Sequence, residues 1–371
     1  MSPLTNTLPA PTPVVPDLHL TPAGHIKLPT AALAIASHTQ DGVLFAACFD
    51  GGVYRIETSS GSYAQLGKHT SYASGVQFMP GTGHVVSAGY DGVLRWFPER
   101  RGAAGQTVAA HSFWSWKMRV SPNQKLIGSV TGQYAAGSYK YEPAPEREPS
   151  VKVFDSTTGN LLHALTHTPP VLSVAFSPDS RYIAAGNMMG DVHVWDLTTG
   201  KVAASWNTPD FTCWGIIKSH HYIGGIFDLC FSPDGNSLLA CGMGPMVDPM
   251  AGNGKEVWQQ FAWRENPVRK VSEIAEGEAG HGLMEVVKYH PTKPIFVMSG
   301  RLAQGKWNTG LFDAASGKLV GSIDCGMRVT DAAWIQDKGE TVLALCGATS
   351  QERKVNGKCP DFGHIKLFQL K

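Results

Sequence analysis

Three charged residues raise a question of chemistry first. Asp228 in IFDLCF, Asp331 in VTDAAW and Lys117 in SWKMRV hold matching positions in three similar apolar stretches. If those stretches line one channel, two carboxylates and a lysine are a set able to move a proton. A salt-bridged lining is the plainer expectation. His220-His221, with Cys213 in the same stretch, could ligate a metal. Adjacent side chains point apart, however, and no cysteine or carboxylate pair has ligand spacing, so no metal site is expected. GMGPM at Gly242 has two glycines one residue apart but opens no helix, so it is not a dinucleotide fingerprint. P-loop, HExxH and GxSxG patterns are absent. No catalytic residue and no cofactor is expected.

The composition describes the elements that carry these residues. Charged residues make up 16% of the 371, against roughly 25% in average domains, while 41 glycines and 24 prolines run high. That balance suits sheets and turns. A net charge of +1 and thin basic-aromatic interleaving argue against nucleic acid. No apolar run approaches the roughly 20 residues of a membrane span. Seven cysteines without a CxxC pair make no disulfide framework, and Cys48, Cys230, Cys241 and Cys346 fall in apolar strand patterns as buried thiols. A cytoplasmic protein is expected.

One pattern recurs along the chain. FSPDSRYIAAGNMMGDVHVWDLTTGK (176–201) reads as strand, turn, strand, turn, strand, with Pro178 fixing a type I turn and Gly200 free to take positive φ. Related units align at Ala32, Ala73, Ser115, Val171, Ile226, Met284 and Val329, spaced by about 40 to 57 residues, and each adds a short fourth strand. Trp195-Asp196 ends one unit, and Phe154-Asp155 and Phe312-Asp313 end two others. Repeats of this length and ending resemble the WD-repeat family of β-propellers over about residues 24–371. The resemblance implies a structural network of His, Ser or Thr, Asp and Trp, which His69, Ser87 and Asp91 match in the second unit. His111, His167 and His281 keep only the histidine.

The expected fold is therefore all-β: a seven-bladed β-propeller of four-stranded antiparallel blades. Blades are expected at about 31–66, 73–109, 114–165, 171–206, 226–274, 283–323 and 328–371. Residues 24–29 (GHIKLP) would close the last blade, and 1–23 would form a disordered Pro-rich tail. Insertions concentrate in second-to-third-strand loops (131–150, 242–256, 301–309, 347–363) and in links between blades (207–225, 275–282). Antiparallel geometry puts all six on one face. Their rings and cations, Tyr134, Tyr139, Tyr141, Phe211, Trp214, Tyr222, Arg301, Trp307 and Arg353, are the types enriched at interfaces. The expected function is a non-catalytic scaffold binding a protein or peptide on that face. The alternative is an enzyme or small-ligand binder using the channel mouth there.

Overall fold

The computed structural model describes residues 17–99, 105–132, 140–141, 146–214, 220–248, 253–275, 277–349 and 363–371. Seven four-stranded antiparallel blades, lettered a to d from the channel outwards, run over 32–68, 73–109, 115–165, 171–207, 220–273, 281–323 and 328–370. The last is completed by Leu20–Leu28.

Burial explains why these sequences make blades. Strands a and b of blade 4, Val171–Phe176 and Tyr182–Asn187, are buried at every residue, since each blade packs against a neighbour on both faces. Its d strand, Lys201–Asn207, has a neighbour only on its inner edge and is mostly exposed. Seven buried apolar clusters fill the gaps, one between each pair of neighbouring blades. Phe45 and Val53 of blade 1 meet Val76 and Phe78 of blade 2, for example. The core is thus a ring of wedges rather than one centre.

Each a strand also carries a one-residue bulge at the same step. Just beyond it lie Ala34, Gly75, Lys117, Ser173, Asp228, Val286 and Asp331, so Lys117, Asp228 and Asp331 are structurally equivalent. A bulge sharpens local twist, which the inner edge of a ring requires.

Short side chains build the tight turns. Ser121, Ser177 and Ser232 donate their hydroxyls to Asn123, Asp179 and Asp234 at 2.7, 2.5 and 2.5 Å. Those side chains in turn accept the backbone N–H two residues on, at 3.0 Å each. The residue between takes positive φ: Gln124 at 64°, Ser180 at 59° and Gly235 at 71°. At the c–d turns the final aspartate does the same work. Asp155, Asp196 and Asp313 accept from Thr158, Thr198 and Ser316. In blade 2 the expected network forms: His69 Nδ1 lies 2.9 Å from Asp91 and Nε2 lies 2.7 Å from Ser87.

Two expectations are corrected. The closing strand is Leu20–Leu28, pairing Ile26 with Ile365, rather than 24–29. Leu18 and Leu20 are buried and the Leu18 N–H donates to Val320 O at 2.6 Å, so the tail boundary at 23 is too late. Pro22 disguised the strand. An outermost strand tolerates proline, here beside a bulge.

The insertions at 242–256 and 301–309 are also in good part strand, while 275–282 enters its strand only at His281. Leu238–Asp248 and Asn253–Ala262 form one long hairpin, and Ile295–Gln304 extends beside His281–Tyr289. Gly254 and Lys255 of blade 5 pair with Gly282 and His281 of blade 6, which fuses the two blades into one sheet.

Candidate interaction face

The three channel residues meet as a clasp. Asp228 is wholly buried and accepts from Lys117 Nζ at 3.0 Å, Arg119 at 3.1 Å, Lys288 at 3.3 Å and the Val287 N–H at 3.2 Å. Lys117 reaches past blade 4, whose matching residue is the small Ser173, and also donates to Phe227 O at 2.5 Å. Asp331 accepts the Ile35 N–H of blade 1 at 3.2 Å and lies 3.9 Å from Arg119.

Burial alone would raise the Asp228 carboxyl, but the charges of Lys117, Lys288 and Arg119 outweigh it and hold the group well below the usual range. A carboxylate held so low is no general acid near neutral pH. The cluster ties blades 3, 5 and 6, and through Arg119 blade 7, across the channel.

The b–c turns and d–a links of blades 1, 2, 6 and 7 converge around one cavity of about 840 Å³. Arg301 and Arg328 stand on one side, and Arg328 Nε donates to Glu285 at 2.6 Å. Burial first, then Arg328, lowers the Arg301 guanidinium. A smaller depression of about 480 Å³ opens on the opposite face, beside Arg119, Lys288 and Asp331.

The expected contact rings divide. Tyr134, Tyr139 and Arg353 lie outside the described residues. Tyr141 belongs to Lys140–Tyr141, which pairs in parallel with His220–His221. Trp214 and Tyr222 are register partners in the small hairpin that Thr212–Trp214 makes with the next strand. Phe211 and Trp307 are corrected from contact residues to core, at 0% and 4% exposed. Phe211 packs with Val257 and Ile226, and Trp307 packs against Phe312 while its indole N–H donates to Glu278 O at 3.1 Å. A long insertion must bury some apolar surface of its own, and these two rings supply it.

An arc of rings over the short-looped blades escaped the sequence reading. Phe49 stacks on Tyr72 at 3.9 Å, Tyr72 lies 5.4 Å from Tyr90, and Tyr90 stacks on Trp114 at 4.8 Å. The signal was present: Phe49 and Tyr90 each precede Asp-Gly after a b strand, and Tyr72 and Trp114 each lie three residues after a blade histidine. These rings sit in short turns and links, so insertion length does not mark them. Burial, then Glu285, pushes the Tyr90 phenol up, so it stays protonated at any physiological pH.

Seven four-stranded blades closed around a channel define a β-propeller. The WD domain, G-beta repeat family matches residues 159–196 and 211–246. Among similar proteins are target of rapamycin complex subunit wat1 of Schizosaccharomyces pombe, 24% identical over 42% of this chain and 41% of that one, and telomerase Cajal body protein 1 of Bos taurus, 27% identical over 32% and 19%. COMPASS component SWD3 of Saccharomyces cerevisiae is 22% identical over 63% of this chain and 71% of its own. The chain spans less than half the length of the first two. The blade architecture, the His69–Ser87–Asp91 network and these matches together support a WD-repeat β-propeller. Among the described residues no helix is long and apolar enough to cross a membrane, and no group of three or more His, Cys, Asp or Glu is placed to hold a metal.

Proposed function

We propose that this chain is a non-catalytic interaction scaffold that docks a protein or peptide on the face carrying the b–c turns and d–a links. The observation that carries the reading is asymmetry. That face bears the larger cavity and the extended hairpins of blades 5 and 6, while the opposite face keeps tight Ser-Pro turns. Neutral drift would lengthen both faces alike. Two relatives are named as a complex subunit and a complex component, which fits a scaffold. Tyr134, Tyr139, Tyr141, Trp214, Tyr222, Arg301 and Arg353 are the proposed contacts. The five described cysteines form no disulfide, which suits a reducing compartment, cytoplasm or nucleus.

The test compares alanine variants once a partner is purified with the tagged protein. Alanine at Tyr139, Trp214 and Tyr222 should weaken binding, with a true anchor worth about 2 kcal/mol or more. Alanine at Asn123, Asp179 and Lys293 on the opposite face should leave it unchanged. The reverse pattern would move the site to the Ser-Pro face. The cavity falls within the 300–1,000 Å³ typical of small-molecule sites, which favours a small-ligand binder as the second reading. A thermal-shift screen with sugars, nucleotides and metals separates the two, since a pure scaffold responds to none of them.

A further inference from the structure

The ring arc at the mouth carries a more specific inference, which rests on the interaction reading. Phe49, Tyr72 and Trp114 are 44%, 37% and 39% exposed, three of the eight large apolar side chains left most open among the described residues. They are not scattered, because Tyr90 joins them into one contiguous series of two stacked pairs with a tilted contact between them. Contiguous exposed apolar surface of this kind marks a binding site more often than chance. Rings already packed on one another lose little freedom when a ligand arrives.

We propose that this arc seats a proline-rich segment of a partner protein in the extended polyproline II form. Ring continuity is the first argument. Phe49 stacks on Tyr72, Tyr90 stacks on Trp114, and Tyr72 lies tilted beside Tyr90, so aromatic surface recurs along the arc for an extended segment to follow. Recognition chemistry is the second. Polyproline segments dock in aromatic-lined grooves and leave their carbonyls unbonded, and tyrosine and tryptophan add donors for them.

Charge is the third argument, and it excludes a competing occupant. Stacked rings also bind single-stranded nucleic acid, but only beside a cationic groove. Here Lys117 is held by Asp228 and Arg328 by Glu285, and the whole chain carries only +1. An uncharged, stiff apolar segment fits this mouth better than a phosphate chain.

Fluorescence anisotropy with labelled decaproline tests the inference. A glycine-serine peptide of equal length and an oligouridine serve as controls. Decaproline should bind the wild type in preference to both. Phe49→Ala with Trp114→Ala should weaken it by about tenfold or more, the loss expected of an anchor pair. Both side chains are well exposed and lie outside the buried clusters, so the melting temperature should hold. If the pair does unfold the chain, Trp114→Ala alone replaces it with the same direction expected.

Lys293→Ala, on the opposite face, should bind decaproline as the wild type does. Equal binding of the controls, or decaproline binding indifferent to the arc variants, overturns the proposal. The scaffold reading is judged separately by the native partner and the long-loop variants, so either can fail alone.

Discussion

Asp228 concentrates the electrostatic stability of the ring in one residue. Three mostly buried cations and a backbone N–H converge on this fully buried carboxylate, so removing it takes away their shared counter-charge. Asp228→Ala should lower stability by about 3–5 kcal/mol, read as the midpoint of denaturant unfolding. The folded carboxyl lies below its unfolded value, so its contribution is complete above about pH 4 and fades as pH falls further. The gap between wild type and Asp228→Asn should narrow below pH 4, and parallel profiles would refute the pairing. His167 is also held below its unfolded value, here because burial favours the neutral form. Burial, with His193 stacked on it at 4.3 Å, pushes its imidazole down to about 3. The unfolded chain protonates that histidine near pH 6.5, so it binds more protons and stability declines as pH falls from about 6.5 towards 3. His167→Gln should flatten that decline in a pH series of melting temperatures.

The closing strand and the turns show what an element reveals in sequence and what it hides. Removing residues 1–16 should leave the melting temperature almost unchanged, whereas removing 1–28 strips a whole ladder and the buried Ile26 and Leu28, each worth about 1.5–3 kcal/mol. Equal melting temperatures for the two truncations would disprove the closure. GHIKLP was legible because Ile26 and Leu28 alternate with polar neighbours. The four residues before it were not, because Pro22 reads as tail. The Ser-Pro turns were legible because their code is local: a hydroxyl, an Asx acceptor and one residue at positive φ. The fusion of blades 5 and 6 was not. Gly254, Gly282 and their neighbours spell loop, and only a non-local ladder makes them strand. The Phe49–Trp114 arc falls between these cases, since its repeat positions were visible but its stacking was not.

At the scale of the whole molecule, the seven wedge-shaped cores make stability a property of the ring. Five described thiols stand free within it, so a reductant should leave the melting curve unchanged. A fall of many degrees would reveal a bridge. The same ring brings distant parts of the chain together. His19 and Lys371 exchange two backbone hydrogen bonds, at 2.8 and 3.0 Å, beside the Leu20–Leu370 pair. That point lies at the Ser-Pro end of the last blade, opposite the Leu28–Gly363 end where the loop face begins. A short peptide linker could therefore join residues 19 and 371, and new ends could be cut at the exposed Ser60-Gly61 turn of blade 1. Such a circularly permuted chain should fold and bind as the original does. A tether at residue 371 should likewise present the ring with its loop face turned outward, as a plate held from beneath.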